Sequence, residues 1–280
     1  MAIVEKNIQV GSLEWFYRQV EGSGDKPPVV CLHGIPAHSF MWCELMSQLE
    51  EKGYSAIAPD WIGSGFSAKP DKREFAYNPE AYIKALNDFL AALELEKSYL
   101  IVQGFLATVG IQYALANPDK IDRLIILNTP LTIDAKLPWT MQQWGIPFVG
   151  DMLTQDPILV DRTLEGGSGF IISDANLDYY RLPFRQTSAV GRALVATIQN
   201  LRLKEVTQKI QMELATFSRP TQIIWGMKDP WLNVETVENL AKTNNNIELV
   251  KLAEAKHYPQ EHFSAEIGES LLNFLRRQQG

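Results

Sequence analysis

Asp229 and His257 are far apart in the chain, yet they are the residues whose types could do chemistry together. A histidine oriented by a carboxylate is a general base. Taken singly, neither stands out. Asp229 precedes Pro230, where a turn-forming aspartate is the ordinary explanation, and His257 alone reads as a surface-loop histidine. Their placement changes the balance. Asp229 follows an apolar run ending at Trp225, His257 follows one ending near Leu252, and both runs read as buried strands. A further strand signal, Tyr99 to Val102, runs into Gly104, after which Phe105 to Ala116 carries apolar residues at helical spacing. Strand, sharp turn and helix is the layout that presents a nucleophile in G-x-S-x-G motifs. The chain order of turn residue, acid and base also fits a triad. Yet the turn residue is Gly104, which tolerates strained backbone angles and has no side chain with which to attack.

Other polar groups gather at the same ends of the strand signals. His33-Gly34-Ile35-Pro36 follows the apolar run Pro28 to Leu32. The backbone amides of Ile35 and Phe105, next to Gly34, together with the Gln103 side-chain amide, are the candidate oxyanion donors. His33 is read as structural, its ring holding that loop by hydrogen bonds, while His38 and His262 are expected to be exposed. Asp60 reads as a residue that fixes its own loop. Ser39, Ser64, Ser67 and Thr108 bring hydroxyls near the crevice. Thr108 lies one turn into a helix, where it back-bonds the helix and does not reach His257.

The elements that must position these residues alternate. Ile8 to Val20 predicts a hairpin around Gly11-Ser12. Phe40 to Glu51 predicts a helix and Tyr54 to Ala58 a strand. Asn78-Pro79 marks the start of a helix running to about Leu95, with Asn as the cap and Pro in the first turn. Leu124 to Leu127 and Thr221 to Trp225 predict strands. Asn233 to Lys242 then predicts a helix, Ile247 to Leu252 a strand, and Ser264 to Arg277 a closing helix. Strands alternating with helices specify a parallel, doubly wound α/β sheet whose strand ends share one crevice. Between Pro130 and Phe217 the rhythm breaks into short helical patterns rich in aromatics, among them Trp139, Trp144, Phe148, Tyr179, Tyr180 and Phe184, with a flexible run from Gly166 to Gly169. We read residues 1–130 and 218–280 as the core domain and 131–217 as an inserted helical cap. Most of the cap aromatics are expected to pack it onto the sheet, and a cap implies a pocket beneath it.

Composition narrows the classes. The 280 residues are 46% hydrophobic and 21% charged, with a formal charge of −7 and no basic cluster. Nucleic acids and anionic membranes are therefore poor partners. No run approaches the length of a membrane-spanning helix, and the start has no secretory pattern, so the expected place is the cytosol or a stroma-like compartment. Cys31 and Cys43 are expected as reduced structural thiols. No metal spacing is present, and nothing in the sequence points to a cofactor.

The segments HGIPAHSFMW, PDWIGSGFSAKP, VQGFLATVG, IIWGMKDPWL and HYPQEHFSAEIGESLLNFL, with PFR from Pro183 onward, resemble the haloalkane dehalogenase branch of the α/β-hydrolases. The resemblance implies an eight-stranded, mostly parallel sheet with helices on both faces and an inserted helical cap. It also implies that His257 stands at the base position and Asp229 at the acid position, with Asn128 at the alternative acid position. The family's aspartate nucleophile and the tryptophan beside it, which binds halide, correspond to Gly104 and Phe105; the halide-binding asparagine corresponds to Ile35. Without a carboxylate at 104 no alkyl–enzyme ester can form. The reading preferred on the sequence is a binding or scaffold protein that does not hydrolyse, with a small apolar ligand under the cap or a protein partner. The alternative is a hydrolase or lyase that uses the Asp229/His257 dyad to activate water or substrate without a covalent intermediate. Ligand sensing through cap motion is a third reading.

Overall fold

The computed structural model describes residues 3–277. Strands β1 (Val4–Val10) and β2 (Leu13–Val20) form an antiparallel hairpin, with Gly11 taking φ +61° in its two-residue turn. Left-handed backbone of this kind is cheap only for glycine. β3 (Val29–Leu32) leads through one 3-10 turn into α1 (Cys43–Glu51), so the helix expected from Phe40 is split at its start. β4 (Ala56–Pro59) follows, then α2 (Pro79–Ala92), whose Asn78 cap accepts from the Ala81 N–H at 2.9 Å. β5 (Ser98–Gln103), α3 (Thr108–Ala116) and β6 (Ile121–Leu127) complete the first half.

Six helices lie between β6 and the next strand: α4 (Trp139–Trp144), α5 (Val149–Leu153), α6 (Ile158–Ser168), α7 (Asp174–Gln186), α8 (Ala189–Asn200) and α9 (Leu203–Leu214). β7 (Thr221–Gly226), α10 (Val234–Ala241), β8 (Ile247–Leu252) and α11 (Ser264–Arg276) close the chain. The sheet order is β1-β2-β4-β3-β5-β6-β7-β8, with β2 antiparallel to both its neighbours and the other pairs parallel. β3, β4 and β5 are buried along their whole length, which is why they read as unbroken apolar runs.

The order contains a reversal that positions the site. From β3 the chain steps outward to β4; from β5 it steps the other way, to β6. Right-handed crossovers therefore send the connecting helices to opposite faces. Accordingly α1 packs with α11, while α2, α3 and α9 pack together. The helices that follow β3 and β5 take opposite faces at this switch, where open α/β sheets place their crevices.

Helix α7 of the inserted segment is bonded to the core at two neighbouring residues. The Tyr179 carbonyl on α7 accepts from His38 Nε2 at 3.0 Å, and the Tyr180 hydroxyl donates to Glu261 Oε1 at 2.6 Å. His38 is thus buried, not exposed as its loop position suggested, because α7 covers it. The run Gly166 to Gly169 also departs from expectation. Gly166, Gly167 and Ser168 finish α6, and Gly169 caps it at φ +74°. Tyr258 and Trp231 pack so closely on Gly167 that any Cβ there would lie 2.5 Å and 2.6 Å from their rings. Of the cap aromatics, Trp144 and Tyr180 are buried as expected, but Trp139, Phe148 and Tyr179 face solvent.

Glu261 makes the α7 contact sensitive to pH. Burial of its carboxyl pushes it up to about 7, against the opposing hydrogen bond from Tyr180. The folded chain therefore keeps this proton where an unfolded glutamate, at 4.5, has released it. Stability from this group is whole in acid and is lost as pH rises through about 7. Glu261→Gln still accepts from Tyr180 and carries no charge. It should leave stability near pH 4 almost unchanged and raise it by roughly 1–3 kcal/mol near pH 8, measured by urea unfolding at the two pH values; an equal effect at both would refute the assignment.

Candidate functional site

Asp229 and His257 meet. His257 Nδ1 donates to Asp229 Oδ2 at 2.9 Å, and both side chains are completely buried. Asp229 is also the turn former that its neighbour Pro230 suggested, since Oδ1 accepts from the N–H groups of Trp231 and Leu232 at 2.8 and 3.1 Å. One side chain thus satisfies both sequence readings. Asn128, at the end of β6, supplies the last donor: its Nδ2 reaches Asp229 Oδ2 at 2.7 Å, while its Oδ1 accepts from Gly226 N–H at 2.8 Å. The acid at 229 and the amide at 128 are therefore one unit. With the proton on Nδ1, the imidazole turns the lone pair of Nε2 away from the acid, the arrangement of a base.

Nothing meets that lone pair. Among the described residues Nε2 has no hydrogen-bond partner, and His257 is 0% exposed. Phe105 stacks over the ring with centroids 5.2 Å apart, Trp231 lies tilted at 4.6 Å, and Tyr258 meets it edge-on at 4.9 Å. A side chain without accessible surface touches no water-sized space.

The backbone of His257 is clamped as well. Its N–H donates to the Gly167 carbonyl of α6 at 2.9 Å, and its carbonyl accepts from Gln103 Nε2 at 2.7 Å. Gln103, expected as an oxyanion donor, thus gives one of the two N–H groups of its amide to the histidine loop, while its Oε1 is buried without a partner among the described residues. Gly167 was not legible as a site residue, since its role depends on a bare backbone brought in by another element. Tyr258 donates to the Ile35 carbonyl at 2.9 Å, tying the same loop to the segment after β3.

The turn after β5 has the geometry of a strained elbow, with Gly104 at φ +85°. Gly34 presses directly on it. A Cβ on Gly104 would lie 2.9 Å from Gly34 Cα, and one on Gly34 would lie 2.8 Å from Gly104 Cα. Ile35 and Phe105 flank this contact, so their amides remain the candidate oxyanion donors. Thr108 donates to the Phe105 carbonyl at 2.9 Å, the back-bond read from its position.

The loop that follows β3 is fixed from below, as the sequence indicated. His33 Nδ1 donates to the Gly34 carbonyl at 2.8 Å and Nε2 accepts from Trp61 N–H at 3.0 Å. Burial holds His33 below its ordinary range, against the pull of Asp60; burial likewise pushes His38 down to about 4. Asp60 accepts from the backbone N–H groups of Ser39 and Phe66 at 2.7 and 2.8 Å, and Ser67 donates to its carbonyl at 2.6 Å. Burial works against the charge on Asp60. The two histidines and these donors outweigh it and hold the carboxyl below the usual range. The Ser39 and Ser67 hydroxyls are engaged in the same network, Ser39 Oγ accepting from Arg18. His262 is exposed, as expected. Among the described residues no group of three His, Cys, Asp or Glu side chains is placed to hold a metal ion, and no helix is long and apolar enough to cross a membrane.

Comparison with known proteins places the geometry in context. The sequence profile of the alpha/beta hydrolase fold matches residues 27–263. The chain is 25% identical over 266 residues to haloalkane dehalogenase 2 of Mycobacterium tuberculosis, covering 90% of this chain and 88% of that one. It is 26% identical over 277 residues to the cis-3-alkyl-4-alkyloxetan-2-one decarboxylase of Shewanella oneidensis, covering 91% and 83%. Among solved structures, haloalkane dehalogenase DbeA from Bradyrhizobium elkani superposes with a TM-score of 0.86 at 24% identity, covering 98% of this chain and 97% of that one.

Crowding at the elbow has a direct consequence. Gly104→Ala adds a Cβ to a left-handed residue and presses it against Gly34. It should lower stability by roughly 2–4 kcal/mol, against little change for Gly166→Ala, where a Cβ meets nothing within 4 Å. Thermal unfolding of the two variants checks this; equal melting temperatures would show that the backbone contact relaxes freely.

Proposed function

The chain belongs to the α/β-hydrolase fold family, and from that premise we propose that it is a dehalogenase-like member that works by binding or scaffolding and not by hydrolysis. The observation that carries this reading is the contact between Gly34 and Gly104. Gly104 stands where the dehalogenase branch carries its aspartate. The position lacks a side chain, and the neighbouring backbone lies within contact range of where one would begin. Losing the nucleophile of a triad enzyme lowers kcat by about 10⁶, and here the space for a replacement is filled as well. Phe105 and Ile35 take the halide-binding places with apolar side chains. The closed packing around His257 favours a protein partner, or a ligand elsewhere under the 131–217 cap, over a ligand seated on the imidazole. Two free cysteines suit a reducing compartment such as the cytosol or a stroma-like space.

A second reading rests on the dyad itself. Asp229 and His257 keep acid–base geometry at 2.9 Å, and Nε2 has no partner. A base so prepared could activate water or take a proton from substrate if the aromatic packing opened. Similarity to a relative named as an oxetanone decarboxylase, beside those named as dehalogenases, supports this second reading.

Purified protein offered a bromoalkane, p-nitrophenyl acetate and an alkyl β-lactone should show no saturable turnover above His257→Ala, followed by halide release, nitrophenolate colour and alkene formation. Gly104→Asp should not release halide either. Saturable turnover lost in His257→Ala would overturn the binding reading in favour of the dyad, and halide release by the unaltered protein would overturn both.

A further inference from the structure

Away from His257, a cleft of about 600 Å³ opens between the loop 69–77, the start of α5 and one face of α8. That volume lies within the ordinary range for small-molecule sites. Lys69, Lys72 and Arg192 line it, with two carboxylates, Asp71 and Asp151. In a chain of net charge −7 this is a local excess of positive charge. Lys69 Nζ donates to the Ser67 carbonyl at 2.6 Å, and Arg192 Nη1 to Ser188 Oγ at 2.7 Å. Among the described residues none of the three cations forms an ion pair with a carboxylate. Asp71 is turned to its own loop, accepting from Arg73 N–H at 3.0 Å. Burial pushes the Lys69 ammonium down to about 8, with the charge of Asp60 pulling the other way. A shielded ammonium with no carboxylate in ion-pair contact is stabilised by an arriving anion.

Part of the remaining wall is apolar, beside Gln199. Tyr77, Val195 and Ala196 line the interior. At the mouth Phe148 is 86% exposed and holds φ +64°, a left-handed conformation uncommon for a non-glycine residue. The cleft therefore offers cations at one part of its wall and uncovered apolar surface at another.

We propose that this cleft binds a monomeric amphiphile with one anionic head, a medium-chain carboxylate, its head on Lys69, Lys72 and Arg192 and its chain along Val195, Ala196 and Phe148. The site shares no residue with the Asp229–His257 pair, so it stands or falls apart from the reading of that pair.

Titration calorimetry with decanoate below its micelle concentration tests this. The expected result is one saturable site, with decanol, which has the same chain and no charge, binding about tenfold more weakly or less. The double variant Lys72→Gln/Arg192→Gln changes only exposed side chains. It should weaken decanoate about tenfold and leave decanol unchanged. Ala189→Trp, at the part-exposed first turn of α8, should block both ligands, and His257→Ala should affect neither. Equal affinity for decanoate and decanol would overturn the proposal. So would unchanged decanoate binding in a double variant that melts like the unaltered protein, or the absence of saturable binding.

Discussion

Two bare backbones touch at the centre of the molecule, and the rest of the site is arranged around that contact. Gly34 and Gly104 leave adjacent parallel strands at the point where the sheet order reverses. In other open sheets this divergence makes a crevice. Here the two chains converge until a Cβ on either would fall inside 3 Å of the other's Cα. Such approach is available only to a pair of residues without side chains. The glycine at 104 is therefore a packing element as well as a residue with no reactive side chain. It lets the β3 loop settle inward, and Tyr258 then fixes that loop through the Ile35 carbonyl.

The histidine on the other side of the crevice is held as firmly. Asp229 accepts four hydrogen bonds, from His257, Asn128, Trp231 and Leu232. A buried carboxylate with this many donors is well satisfied and fixes the ring it faces. The exceptions are few: Nε2 of His257 and Oε1 of Gln103 lie nearby, buried and unpartnered. A buried polar atom left unpaired is unfavourable by about 1–3 kcal/mol. The packing of Phe105, Trp231 and Tyr258 around the imidazole must offset that penalty, since opening the site to water would relieve it. The aromatic cage is thus the element that keeps the crevice closed.

Much of this was legible in the sequence. Each core strand is a short apolar run with a turn behind it, so the sheet and the position of Asp229 and His257 at strand ends followed from pattern. Asn78 capped its helix because the side chain needs only local backbone to do so. What escaped were contacts made by residues with no distinguishing chemistry. Gly167 looked like part of a flexible stretch, yet its carbonyl holds His257 and its missing side chain admits Tyr258 and Trp231. His38 looked exposed because its burial depends on α7, an element arriving some 140 residues later. Gln103 was read as a donor near the elbow, and the sequence could not show that the His257 carbonyl takes one of its two N–H groups. Local signals report side-chain chemistry well; they are silent about which backbone groups tertiary packing will bring within reach.

That last point bears on how the site could ever open. A lid in an enzyme moves to admit substrate and leaves the base where it was, or completes the base's surroundings as it closes. In this protein α6 bears on the base in two ways. Its Gly167 carbonyl accepts the His257 N–H, and its closely packed glycine receives Tyr258 and Trp231, which in turn enclose the imidazole. Lifting α6 would expose Nε2 only by removing one of the two bonds that fix the histidine backbone. Access to the base and order of the base are therefore opposed along the same motion. The scaffold we propose would tolerate that opposition, because it needs the order and not the access.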